Sequence, residues 1–333
     1  MEDRKRDHIA LAFESQTHHN DLDSRFMYEP MLSAHPTINT IPETVFAGKM
    51  QKLPMWVSSM TGGTKMAGTI NRNLARACRE FGIGMGLGSC RIILDDDTYF
   101  HDFDMRNIIG DDLPLWANLG INQVEILCMN KEVEKIQRMV ARLRADGLII
   151  HVNPFQEWFQ PEGDRLQRSA IESVQDILEQ VDFPIMVKEV GQGMGYESLK
   201  ALLRLPIAAI EFGAFGGTNF AKVELLRNSE QPKELFEPLS YIGHDALQML
   251  EMVNHIVDTE GDAIQCKQLI ISGGIKSFLD GYFLIKKSKL PAIYGQASTF
   301  LKYAREDYQP LQDFVKNQVK GLQMAYAFLR VRE

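Results

Sequence analysis

Eight short apolar runs, at 55–59, 83–87, 115–119, 148–152, 185–189, 208–212, 269–272 and 292–295, recur along the chain, and most are followed by a stretch of helical period. Runs of four or five residues have the length of strands. Pro54, Pro114, Pro184, Pro206 and Pro291 stand at or just before five of the starts, where a missing N–H does least harm. The intervening "INRNLARACREF", "VEKIQRMVARLR", "AIESVQDILEQ" and "ALQMLEMVNHIV" place apolar residues three and four apart, the spacing of an amphipathic helix. Strand–helix alternation predicts a parallel sheet.

Eight strands fit either a closed (β/α)8 TIM barrel or an open doubly wound sheet. The glycines and polar residues decide between them, because they follow all eight runs alike: "SSMTGG", "GLGSCR", "ANLG", "HVNPFQE", "VKEVGQG", "GAFGGTN", "SGGI" and "YGQA". An open sheet concentrates ligand groups at one crevice, whereas a barrel gathers them around the C-terminal rim of its strands. The expectation is an α/β barrel with its active site at that rim, built as a single unit over 1–333. The stretch 219–246 is the longest irregular piece and reads equally as a lid or as a surface excursion. The acidic "LDDDTYF" at 94–100 reads as a helix-capping run.

Net charge is −8, so generic nucleic-acid binding has no electrostatic support. The four cysteines, Cys78, Cys90, Cys128 and Cys266, form no CxxC pair, which argues against a disulfide framework or a structural zinc. The start "MEDRKRDHIA" is charged where a secretory signal needs an apolar core. No apolar run has the length of a spanning helix. A cytoplasmic protein with no membrane insertion is expected.

"SGGIK" at 272–276 and "YGQAS" at 294–298 follow the seventh and eighth runs, the usual place of a phosphate cradle in barrels. Tight turns alone would also explain their glycines. Lys188, at the end of the fifth run, suits a cation beside a bound anion or a Schiff-base nucleophile. A Lys that merely snorkels to the rim is the plainer alternative. A planar, polar ligand across the mouth would use all these groups, and flavin mononucleotide (FMN) fits that description. "HVNPFQE" at 151–157 then ends a buried strand on an imidazole, two carboxamides and a carboxylate, a density of polar groups that is costly without partners.

The chain resembles type 2 isopentenyl-diphosphate isomerases, the flavin-dependent enzymes of isoprenoid synthesis. The resemblance covers nearly the whole chain and rests on Arg4-Lys5-x-x-His8-Ile9, "MTGG" 60–63, "GS-R" 88–91, "ANLG" 117–120, "HVNPFQE" 151–157, "VKEVGQGM" 187–194, "GGT" 216–218 and "SGGI" 272–275. It implies reduced FMN at the barrel mouth, Mg2+, NADPH as reductant, and interconversion of isopentenyl and dimethylallyl diphosphate by a homo-oligomer (tetramer or octamer). By motif match, FMN would be held by Met60, Thr61, Gly62, Ser89, Asn118, Lys188, Thr218, Gly273, Gly274, Ile275, Gly295, Ala297 and Ser298. Substrate would meet Arg4, Lys5 and His8 from an N-terminal extension (1–50), with Ser89, Arg91, Asn153 and Gln156. His151, Gln156 and Lys188 would serve the chemistry, and Glu157 would bind the metal. The chain departs from the family at Cys90 (usually Gln), Lys276 (usually Arg), Gly213 (commonly Ser) and "YIGHDA", which replaces a Gly-Ile-Pro-Thr run.

Moving a double bond adds one proton and removes another, with no net redox change. Gln156 does not titrate near neutral pH, so the expectation is that the reduced flavin's ring nitrogens carry the protons. Lys188 would then balance the anionic ring, and Mg2+ would take one carboxylate plus phosphate oxygens. Two other readings compete. An FMN oxidase of 2-hydroxyacids needs a base, normally a His, and no His follows "IISGGI". A non-catalytic flavin- or phosphate-binding regulator would need neither Gln156 nor Glu157.

Overall fold

The computed structural model describes residues 2–37, 39–59, 61–228 and 232–332. Eight parallel strands close into a barrel: β1 (Met55–Val57), β2 (Gly84–Gly86), β3 (Leu115–Gly120), β4 (Leu148–Val152), β5 (Ile185–Glu189), β6 (Ala209–Glu211), β7 (Leu269–Ser272) and β8 (Ala292–Gln296), each hydrogen-bonded to its neighbours in chain order. All eight apolar runs are strands. The prolines at their starts have a use besides tolerance. The carbonyls of Pro54, Pro114, Pro184 and Pro291 accept from Tyr294, Met85, Leu148 and Leu269 of the adjoining strands, so residues without an N–H still serve as acceptors in the ladder.

Alternation along the strands sorts the barrel interior into layers. The lower layer is apolar: Trp56, Trp116, Ile149, Met186, Ala209, Ile270 and Ile293 pack together, with Phe46 beneath them. Two indoles fit because glycine stands opposite. A Cβ on Gly84 would lie 2.5 Å from the Trp56 ring, and one on Gly147 would lie 2.5 Å from the Trp116 ring. Two residues further along, the same inward positions carry Ser58, Asn118, His151, Lys188, Glu211, Ser272 and Gly295. The barrel therefore passes from a dry floor to a polar mouth in one step.

The amphipathic segments form helices Lys65–Phe81, Val133–Leu143, Ala170–Leu178 and Ala246–Glu260. Thr64 caps the first by accepting from Ala67 N–H, and Gly82, at φ 67°, ends it. Asp245 and Gln248 form a capping box on the last. After β2 the expected pattern fails. The acidic run caps no α-helix: it lies between single 3-10 turns at Arg91–Ile93 and Phe100–Asp102. There Asp95 pairs with Lys135 and Asp97 with Arg142, so these acids tie the loop to helix Val133–Leu143 instead.

Residues 1–50 do not behave as one extension. Helix Glu2–Leu11 is exposed at every described side chain. Strand Phe26–Tyr28 pairs antiparallel with Leu329–Val331 at the far end of the chain. The hairpin Thr44–Phe46/Lys49–Gln51 carries Phe46 into the barrel floor. The 219–246 stretch holds helices Phe220–Arg227 and Lys233–Phe236 and a 3-10 turn Glu237–Tyr241. Ala221, Leu225 and Phe236 pack on Phe155 and Phe159 of helix Pro154–Phe159, which covers one side of the mouth. No described helix is long and apolar enough to cross a membrane.

Candidate functional site

On one side of the mouth the loops after β6, β7 and β8 line a cavity with Lys188, Thr218, Gly273, Gly274, Ile275, Gly295, Ala297 and Ser298 on its wall. Here the chain meets itself backbone to backbone. Gly273 has φ +88°, and a Cβ there would stand 2.1 Å from the Ala214 carbonyl oxygen; Gly216 (φ +112°) and Gly217 lie against Gly274 and Gly273. Only glycine permits both that conformation and that approach. The two helices at this cavity differ at their starts. Ser277 and Asp280 already cap Phe278–Lys287, whereas Ser298–Ala304 has no side-chain cap and opens on the cavity. Uncapped N–H groups favour an anion, so a phosphate fits the second helix better.

On the other side the groups are side chains whose directions are fixed by their neighbours. Asn118 Nδ2 donates to the Leu87 carbonyl at 3.1 Å, so its Oδ1 faces His151 Nδ1 at 2.7 Å. That carboxamide oxygen can only accept, so Nδ1 carries the proton and Nε2 is left as an acceptor. Burial, and then the Lys188 ammonium, push the imidazole down to about 3; the ring is neutral. Glu157 imposes the second direction. Its Oε1 accepts from Asn153 Nδ2 at 3.1 Å and its Oε2 from Asp164 N–H at 3.0 Å. The same Asn153 amide donates to Gln156 Oε1 at 3.0 Å, which leaves the Gln156 NH2 to donate. His151, Gln156, Ser89, Asn118 and Lys188 line one shared cavity, and Asn153 and Gln156 line the next.

Arg91, half exposed, pairs with Asp164 at 3.0 Å and so stands beside the Glu157 network. Thr61 and Gly62 line neither cavity. The Thr61 backbone packs against Gly88, where a Cβ would lie 2.4 Å away, and Asn71 donates to its carbonyl. Met60 falls outside the described residues. Arg4, Lys5 and His8 are exposed on their helix and line none of the rim cavities; the structure does not bring them to the mouth. Among the described residues no cluster of three His, Cys, Asp or Glu could hold a metal. Glu157 can bind a cation only as a single carboxylate that shares it with a ligand's oxygens.

Two of the four departures, Cys90 and Gly213, have surroundings that constrain them. Cys90 is buried; burial pushes its thiol up to about 12, and its backbone N–H donates to the Asn118 carbonyl at 2.7 Å. It supports Asn118 through the backbone rather than reaching the cavity. Gly213 has φ +53°, and a Cβ would sit 2.0 Å from the Glu189 carbonyl, so this backbone excludes a serine. Of the wall residues, Ser58, Ser272 and Gln296 lie inside motifs noted in the sequence but carried no role of their own there, and Glu211 lies in none of those motifs. Gln296 donates to the Ile275 carbonyl, while its Oε1, the Ser58 hydroxyl and both Glu211 oxygens have no partner among the described residues. Inward register would have found them, given strand boundaries good to one residue.

No family model matches the chain. Curated relatives do. The isopentenyl-diphosphate delta-isomerase of Rickettsia felis is 33% identical over 97% of this chain and 91% of its own length. That of Rickettsia rickettsii (strain Sheila Smith) is 34% identical over 91% and 86%. Among solved structures, a mandelate oxidase variant with a monooxide FMN adduct superposes with a TM-score of 0.57 at 14% identity, covering 92% of this chain and 88% of that one. A flavocytochrome b2 variant with benzoylformate gives 0.63 at 12% identity, covering 90% and 71%; at such identities the likeness is one of fold. With the barrel, the motifs and full-length relatives in agreement, the chain belongs to the isopentenyl-diphosphate delta-isomerase family, in the type 2 branch that its motifs resemble.

Proposed function

We propose that this protein interconverts isopentenyl and dimethylallyl diphosphate with FMN and Mg2+, NADPH serving as reductant. The observation that carries the reading is the meeting, at one barrel mouth, of a glycine cradle with the directed network His151–Asn118 and Asn153–Gln156–Glu157. The residues suit a flavin nucleotide. The backbone cradle, which any Cβ would fill, suits a phosphate, and the unpartnered Gln296 Oε1 and Ser58 hydroxyl suit a polar ligand. Reduced FMN, when bound, supplies the proton donor and acceptor and electron density against a developing tertiary cation.

The chain's own groups do the rest. Lys188, buried in the wall, balances negative charge on the cofactor. Gln156, with its oxygen already engaged, orients substrate through its NH2. The neutral His151 presents an acceptor beside it. Glu157 gives Mg2+ one carboxylate, and the substrate's diphosphate completes the hard oxygen set. Arg91 faces that diphosphate after exchanging Asp164 for it. Arg4, Lys5 and His8 reach the diphosphate only when their helix moves from its exposed position. A cytoplasmic homo-oligomer, one barrel with a mobile N-terminal segment per chain, completes the proposal.

The test is an anaerobic assay of purified protein with FMN, Mg2+, NADPH and isopentenyl diphosphate, following dimethylallyl diphosphate. Turnover that needs both reductant and Mg2+ is expected. Bound FMN without product, or product formed equally with oxidised flavin, contradicts the proposal.

A further inference from the structure

Two buried carboxylates end neighbouring barrel strands, and the chain treats them oppositely. Glu189 is engaged by its own turn: its Oε2 accepts from the N–H groups of Gly191, Gln192 and Gly193 at 2.7, 2.6 and 2.8 Å. That carboxylate folds the turn after β5. Glu211 points inward, is 1% exposed, and lines the cavity, yet neither of its oxygens has a partner among the described residues. A carboxyl group so placed has lost its water without gaining a donor, which is unfavourable unless a ligand supplies one.

The neighbours could have donated and do not. Lys188 is the register partner of Glu211 on β5, and Ile270, two residues before Ser272, is its partner on β7. Ser58, Lys188 and Ser272 open on the same cavity. Ser272 Oγ instead accepts from Gly213 N–H at 3.0 Å. The groups ring the cavity with space between them. Such an arrangement fits a ligand that brings its own donors.

Resting on the flavin reading above, we infer that Glu211 is a cofactor-binding residue, whose carboxylate accepts hydrogen bonds from a hydroxyl or imide N–H of the bound flavin nucleotide. FMN offers both donor types, and Lys188 across the strand pair offers the matching cation. Two consequences follow. The flavin-free protein carries an unpartnered carboxyl group that the cofactor's donors would satisfy. Glu211 would also set a negative charge near the bound flavin, which would oppose the added electron density of its reduced state.

Glu211→Gln keeps the shape and removes the charge. The flavin-free variant is expected to melt higher than the flavin-free parent, and to bind oxidised FMN at least tenfold more weakly by fluorescence titration. Its affinity ratio should shift about tenfold toward reduced FMN, which is ~30 mV in midpoint potential for a two-electron couple. Glu211→Asp should keep the parent's potential while losing affinity. If the parent binds FMN but Glu211→Gln binds it equally, melts lower or fails to fold, Glu211 is a structural carboxylate and the inference falls alone. If the parent binds no FMN, the flavin reading falls with it.

Discussion

On the β6–β8 side of the mouth the chain presents backbone, through Gly213, Gly216, Gly217, Gly273 and Gly274; on the β3–β5 side it presents side chains, through Asn118, His151, Asn153, Gln156 and Glu157. The first side is constrained by space and φ, so a single methyl group is excluded at Gly213 and Gly273 and strained at Gly216 and Gly274. The second is constrained by hydrogen-bond direction, so a change of one atom leaves the fold and alters the chemistry. Substitutions on the two sides should therefore fail in different ways.

The largest effect belongs to Gly273→Ala. Its Cβ would need φ +88° and would stand 2.1 Å from the Ala214 carbonyl. A loss on the order of 3 kcal/mol is expected for the flavin-free protein, read from the urea midpoint. Gly48 supplies the control, with φ +79° and no atom within 4 Å of an added Cβ. Gly48→Ala should cost only about 1 kcal/mol, the conformational part alone. Equal losses at the two positions would show that crowding does not govern the cradle.

Glu157→Gln inverts that outcome. The carboxamide keeps an acceptor for Asp164 N–H, turns an NH2 toward Asn153, and no longer offers the proposed Mg2+ a charged oxygen. Turnover should fall by about 100-fold, since even outer residues of a metal site are worth 10–100-fold, while the urea midpoint stays within about 1 kcal/mol. A large stability loss would mean that the network is scaffolding, as the glycines are.

The pH dependence of stability sharpens the side-chain half further. In the unfolded chain the His151 imidazole takes up a proton near 6.5, but in the fold it resists until about 3. Between those values the unfolded state binds more protons, so stability is whole above pH 6.5 and declines as pH falls toward 3, with a slope of up to about one proton. His151→Gln should flatten that decline and leave stability above pH 7 nearly unchanged. Lys188→Met should raise the imidazole's titration, observable by NMR, but only in part, because burial is the larger cause.

What the sequence disclosed follows the same division. Strand and helix period, and glycines and polar groups after each strand, were enough for the barrel, the rim and Lys188, because both signals are local. Glu211 was hidden in "AIEF", where nothing local says which face of the strand turns inward; Ala209 packed beside Met186 in the floor decides it. The pairing of Phe26–Tyr28 with Leu329–Val331 was equally hidden, since strands of three residues carry no period and their partners lie at opposite ends of the chain. Gly213 could be noticed as a departure, but its cause, the Glu189 carbonyl, is a contact between two loops.

The smallest effect concerns the segment after β6, which packs on the side-chain half through Ala221, Leu225 and Phe236. Phe236 packs 5.8 Å from Phe159, ring centre to ring centre, and is only partly buried. Its own helix of four residues cannot stand alone, so this contact holds that turn in place and adds to the Ala221 and Leu225 packing of the helix before it. Phe236→Ala should therefore act locally. Amide exchange in Phe220–Arg227 should speed up about tenfold, equivalent to ~1.4 kcal/mol of local opening, while exchange in β4 and β5 stays at the parent rate. Unchanged exchange over 220–227 would mean that the Asn219 cap, which accepts from Lys222 N–H and donates to the Ser240 carbonyl, is what fixes the cover. Faster exchange confined to that helix makes it a separately opening piece over a rigid network. The mouth would then have one side set by backbone and one side whose access depends on how firmly a separately opening helix is packed.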